Sequence, residues 1–154
     1  MNRSPAYEYC HVVCFEDTNM VGNVYYATYV SWQGRVREMF LKEHVPQILD
    51  DLKHGLVLAT LSVSCDYYHE LVPFDEVLIE LRLAALAGSR MTLEFDYWKT
   101  SCAAPLLVAK GSQRIGCLRR NAGGMIAEPI PSYFEAALAP YRREMRQLTA
   151  SEIT

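Results

Sequence analysis

The stretch Phe15-Glu-Asp-Thr-Asn-Met-Val-Gly-Asn-Val-Tyr-Tyr26 runs directly into a helical pattern, Ala27 to Lys42, that carries Tyr29, Trp32, Arg35 and Arg37. A polar turn containing Gly22 that feeds a helix N-terminus presents backbone N–H groups with no intrahelical acceptor. Such a terminus can receive a developing oxyanion. Asn19 stands in that turn. Its carboxamide can donate and accept hydrogen bonds, but it cannot act as a general base or a nucleophile. Arg37 is no base either, since a guanidinium loses its proton only above pH ~12, yet its planar fork binds oxyanions well. The carboxylates nearest in sequence are Glu16, Asp17 and Glu38. Adjacent helix positions point about 100° apart, so Arg37 and Glu38 cannot both face one site squarely. Thr60 and Ser62 alternate in an apolar run and are expected on one strand face. Tyr25, Tyr29, Trp32, Tyr67, Tyr68, Tyr97 and Trp98 offer aromatic walls for a flat apolar ligand.

These residues need elements to hold them. Residues 7–15 read as a first strand, 16–23 as a loop and 24–43 as a long helix with apolar positions at 25, 29, 32, 36 and 40. Asn19 and Asn23 are both candidate caps. Gly34 interrupts the helix at a cost of about 0.5–1 kcal/mol relative to Ala, which points to close approach by a ligand or another backbone. Pro46 opens a short helix ending near Gly55. Four strand-like runs follow, at 56–70, 74–87, 89–100 and 105–118, joined by short turns that favour antiparallel pairing. Asn121-Ala-Gly-Gly marks a further turn before a short extension, and Pro131 opens a last helix over 131–147. One long apolar helix against one antiparallel sheet is an α+β arrangement.

The bulk properties narrow the classes. A chain of 154 residues with 51% hydrophobic and 21% charged residues suits a single globular domain. A formal charge of −3 leaves no basic footprint for nucleic acid. No apolar run is long enough to span a membrane, and no signal-peptide core precedes the first strand, so a cytoplasmic location is expected. Five cysteines without a CxxC pair suggest reduced, mostly buried thiols and no metal site. Ser31, Ser89 and Ser101 lack the Gly-x-Ser-x-Gly elbow, and no phosphate loop or dinucleotide fingerprint is present, so no cofactor is expected.

The stretch from Phe15 into the helix resembles the signature of hotdog-fold thioesterases of the 4-hydroxybenzoyl-CoA thioesterase type. The turn Glu70-Leu-Val-Pro-Phe-Asp-Glu and the exit Pro129-Ile-Pro extend the likeness over nearly the whole chain. In most of that family an Asp stands where this chain has Asn19. Gly22-Asn-Val-Tyr-Tyr and Trp32-Gln-Gly-Arg-Val-Arg-Glu-Met-Phe-Leu are more closely similar to thioesterases that accompany iterative polyene synthases in enediyne biosynthesis. The resemblance implies one hotdog domain over 1–154, an antiparallel sheet wrapped around the long helix, with flexible tails at about 1–6 and 148–154. It implies hydrolysis of a long conjugated polyene β-keto acyl thioester from an acyl carrier protein, with decarboxylation as an optional second step. It places Asn19 and Arg37 in the site, with the backbone N–H of Tyr26 as oxyanion donor. Tyr29, Thr60, Ser62, Tyr25 and Trp32 then line the substrate channel. Sites between two subunits imply a homodimer, or a dimer-of-dimers tetramer. The leading mechanism has no protein base: water attacks a polarised carbonyl and a good thiolate leaves. An acyl-CoA thioesterase, with Lys110 and Arg114 as a phosphate clamp, and a non-catalytic acyl-binding subunit are the alternatives.

Overall fold

The computed structural model describes residues 3–144. In chain order the elements are β1 (Tyr7–Val12), a 3-10 turn at Phe15–Asp17, α1 (Tyr26–His44), α2 (Pro46–Lys53) and β2 (Leu56–Tyr67). Then come β3 (Glu76–Ala87), β4 (Arg90–Lys99), β5 (Leu106–Asn121), β6 (Gly124–Ala127), α3 (Ser132–Leu138) and a 3-10 turn at Ala139–Tyr141. The strands form a 6-stranded sheet in the order β1-β3-β4-β5-β2, with β6 beside the far end of β5. Every pairing is antiparallel. The α+β hotdog arrangement is therefore the one the chain adopts, with the sheet curled about α1.

Helix α1 buries Tyr29, Trp32, Gln33, Val36, Phe40 and Leu41, a stripe at i, i+3, i+4, i+7 spacing. That stripe meets the inward row of each central strand: Val77, Ile79, Leu81 and Leu83 from β3, then Met91, Leu93, Phe95 and Tyr97 from β4. Among the side-chain bonds that tie helix to sheet, three fix the first half of α1. Tyr97 Oη donates to Tyr29 O at 2.8 Å, Tyr67 Oη to Tyr26 O at 2.7 Å, and Gln33 Nε2 to Ser64 O at 3.1 Å. Gln33 occupies the space that a side chain at position 111 would take, so a Cβ on Gly111 would overlap its amide.

Several expectations are corrected here. Helix α1 starts at Tyr26, and neither asparagine caps it: Tyr25 is the cap residue, with no side-chain bond. Among the described residues, nothing approaches Gly34 closely enough to meet an added Cβ. The last helix stops at Leu138 rather than 147, because Pro140 has no N–H for the helical ladder and the chain turns extended at Arg142. Residues 145–147, like the tail at 148–154, lie outside the described residues. Residues 3–6 lie against the outer face of the sheet. Ser4 O accepts from Arg82 at 2.8 Å, and the Arg3 guanidinium sits 4.3 Å from the Trp98 ring centre. Only Cys117 is buried among the thiols; Cys10, Cys14 and Cys102 are exposed and Cys65 is half-buried. Among the described residues, no helix is long and apolar enough to cross a membrane.

Candidate active site

The loop between β1 and α1 is folded by Asp17. Its carboxylate accepts the Cys14 N–H at 2.9 Å and lies 3.0 Å from His11 Nε2, while its carbonyl accepts the Tyr25 N–H at 2.9 Å. Asp17 is thus committed to structure and is not available as a base. Beyond it, Asn19 N donates to Asn23 O and Gly22 N to Asn19 O, closing a tight turn with Gly22 at φ 85°. The Asn19 side-chain oxygen accepts the Val21 N–H at 3.0 Å. That bond orients the side chain, and its NH2 group, which has no partner among the described residues, can donate to a ligand. At the helix start, Thr28 N bonds to Tyr25 O, and the Tyr26 N–H has no acceptor among the described residues. An unpaired N–H at a helix N-terminus is an oxyanion donor in form.

Asn19 and Tyr26 open onto one cavity of about 340 Å³, lined also by Asn23, Val24, Tyr29, Tyr67, Tyr68, His69 and Glu70. Its apolar wall includes Tyr67 and Tyr29, whose rings meet edge-on at 5.0 Å; behind Tyr29 stand the buried rings of Tyr97, edge-on at 5.5 Å, and Trp32, tilted at 5.3 Å. Burial pushes the Tyr29 hydroxyl well above its ordinary range, and burial together with Cys65 raises Tyr67 to about 12, so both stay neutral. Asn23, His69 and Glu70 were not singled out from sequence as site residues. The hint was the Glu70 turn directly after a strand, whose place beside Asn19 depends on Val24 N bonding to Leu71 O.

Arg37 does not join this cavity. It lies three turns further along α1, about 16 Å from Tyr26 at ~1.5 Å per residue. There Nη1 donates to Thr60 Oγ1 at 3.2 Å and to Gln113 Oε1 at 3.1 Å. Both acceptors are neutral, and Arg37 forms no ion pair among the described residues. Burial lowers its pKa from the usual value, and nearby Glu38 raises it. An uncompensated, half-buried guanidinium suits an anionic or strongly polarised oxygen. Glu38 itself is exposed, on another side of the helix.

The strand residues divide. Thr60 pairs with Ile115 on the inner face, but the register shifts at Leu61, so Ser62 pairs with Arg114 and turns outward. The expectation of one shared face fails because the bulge adds a residue to the alternation. Trp32 is 2% exposed, packed against His11 at 4.9 Å, and does not line the cavity. Tyr25 is exposed and rests on the Tyr26 ring at 4.5 Å. Lys110 and Arg114 lie on the outer face, where Lys110 pairs in register with Asp96 and Asp66, so they do not clamp this cavity.

A family model described as "Thioesterase-like superfamily" matches residues 13–146. The chain belongs to this family. The thioesterase is also similar to the dynemicin thioesterase, solved in a study of polyene binding: 39% identity, TM-score 0.87, covering 92% of this chain and 100% of that one. A 4-hydroxybenzoyl-CoA thioesterase D17N mutant complexed with 4-hydroxybenzoyl-CoA matches at 14% identity and TM-score 0.76, over 86% and 98% of the two chains. A 1,4-dihydroxy-2-naphthoyl-CoA thioesterase from Synechocystis matches at 17% and TM-score 0.75, over 88% and 96%. These last two share the fold. No curated protein sequence matches. The chain is a thioester hydrolase of hotdog fold.

Proposed function

We propose that this thioesterase hydrolyses a long conjugated polyene β-keto acyl thioester carried by the acyl carrier protein of an iterative enediyne polyketide synthase. The observation that carries this reading is that Asn19 and Tyr26, whose N–H has no acceptor among the described residues, line one cavity together with the rings of Tyr29, Tyr67 and Tyr68. The two donors suit a thioester carbonyl, and the rings suit a rigid, flat chain. The 39% identity to a dynemicin thioesterase supports the polyene assignment.

Arg37 and Thr60 enter through a second copy. Strand β2 is a sheet edge, and it leaves Leu61 46%, Val63 39% and Tyr67 45% exposed. A long apolar edge of this kind calls for a partner strand. Within one chain, Thr60 at the start of β2 meets Arg37 and Tyr67 at its end meets Tyr26, so antiparallel twofold pairing of β2 brings the Arg37 end of one subunit beside the Tyr26 end of the other. The guanidinium then faces the other protomer's cavity, where it holds the C3 oxygen or the nascent carboxylate of a β-keto acid. Loss of carbon dioxide from that acid needs only such electrostatic help.

Co-expression with the partner synthase, followed by mass and absorbance analysis, tests the assignment. Free polyene acids or methyl ketones are expected, and Arg37→Ala, folded by circular dichroism, is expected to abolish them. Undiminished product from that variant would remove Arg37 from the mechanism.

A further inference from the structure

Every carboxylate near the site in sequence is accounted for elsewhere: Asp17 by the Cys14 N–H and His11, Glu16 and Glu38 by exposure away from the cavity. One carboxylate does line the cavity, and it comes from the far side of the chain. Glu70 follows β2 and reaches the Asn19 turn through stitched contacts. Asn23 Nδ2 donates to Glu70 Oε1 at 3.0 Å, Val24 N to Leu71 O at 2.9 Å, and Asn19 N to Asn23 O at 2.9 Å. The carboxylate is therefore held against the same turn that holds the carbonyl donor, and its second oxygen has no hydrogen-bond partner among the described residues. The mouth is open to solvent at this wall, so water reaches it. The other titratable groups on the cavity are His69, Tyr26, Tyr29, Tyr67 and Tyr68.

We infer that Glu70 is the general base of this thioesterase, supplied by the strand-end turn in place of the carboxylate that Asn19 does not provide. The inference rests on the hydrolytic site proposed above. The Glu70 carboxylate takes a proton from water as the water oxygen bonds to the thioester carbon, and the carbonyl electron pair moves onto the oxygen held by the Tyr26 N–H and Asn19. Collapse of that adduct restores the carbonyl and breaks the C–S bond. The leaving thiolate takes the proton back from Glu70. One thioester and one water become one acid and one thiol, and Glu70 is again ionised.

General-base catalysis is worth about 10²–10⁴ in rate. Glu70→Gln keeps an oxygen for Asn23 and the shape of the wall, so it removes the base and leaves the turn intact. In steady-state assays of thiol release from a long acyl thioester, Glu70→Gln is expected to lose about 100-fold or more in kcat with KM within threefold. Glu70→Ala is expected to regain rate in proportion to added formate or acetate, which a purely structural role for Glu70 does not predict. A Glu70→Gln enzyme with kcat within threefold of wild type overturns the inference, as does full activity there beside a dead His69→Asn enzyme. An inactive wild type, tested on carrier-bound and CoA thioesters, sinks the hydrolytic reading and this inference with it. An active wild type matched by Glu70→Gln sinks this inference alone.

Discussion

Asn19 and Arg37 both change meaning once their hydrogen bonds are known. The Asn19 oxygen accepts one bond from its own turn, which orients the side chain and leaves its NH2 to serve, in the proposed mechanism, as a donor to the thioester carbonyl. Arg37 is held by two neutral oxygens, which orients it without cancelling its charge. Cys65, behind the tyrosine rings, gives a further check at this scale. Burial, assisted by Asp66 and opposed by a Tyr67 hydrogen bond, pushes its thiol up to about 11. Its thiolate fraction at pH 8 is then very small, whereas exposed Cys10, Cys14 and Cys102 are free to react. Timed alkylation with mass mapping is expected to label these three first and Cys65 only as pH approaches 11. Labelling of Cys65 as fast as Cys10 at pH 8 would contradict this environment.

Two elements depend on single residues. Where α1 crosses β5, the Gln33 amide takes the place of a side chain at Gly111. Gly111→Ala forces either the amide or the strand to move, and overpacking of this kind costs about 1–3 kcal/mol. Urea denaturation is expected to show that loss, and Gln33→Ala is expected to reduce it by vacating the space. At the turn between β2 and β3, Asp75 accepts Val72 N–H at 2.9 Å and meets Lys99 Nζ at 2.9 Å and Ser101 Oγ at 3.3 Å. Burial raises its pKa, but these partners together outweigh it and hold the carboxyl below its ordinary 3.8. A depressed folded-state pKa contributes stability above the unfolded value, and that stability is lost as pH falls through the lower folded value. Thermal melts are therefore expected to show an acid-labile component below about pH 4. Asp75→Asn is expected to lower stability at pH 7 and to flatten that dependence. An unchanged acid slope would assign it to other carboxylates.

At the scale of the molecule, the proposed site is split along α1. The oxyanion end and the guanidinium end stand about 16 Å apart within one chain, at ~1.5 Å of helix per residue. In the proposed dimer a twofold partner across the β2 edge brings unlike ends together, so a monomer is predicted to be inactive. Sedimentation is expected to show a dimer or a larger even assembly. Val63→Lys on the exposed edge is expected to shift it toward monomer and to reduce activity in parallel. Full activity in a demonstrated monomer would rule out a shared site.

The sequence by itself determined the element order, the helix stripe, the β3–β4 and β4–β5 hairpins and the chemical character of the Asn19 turn. Those follow from local spacing, residue type and turn chemistry, which act within a few residues. The expected β2–β3 hairpin does not form, because β2 crosses to pair with β5. Only the tertiary structure decided which way Asn19 presents its amide, that Ser62 turns outward, and that Glu70 stands beside Asn19. Each depends on a long-range bond or a register shift: Val21 N–H on the Asn19 oxygen, the extra residue at Leu61, and the stitch from Val24 to Leu71. Such contacts leave no periodic trace in the chain. They arise where the sheet curls and brings the end of β2 back onto the start of the helix.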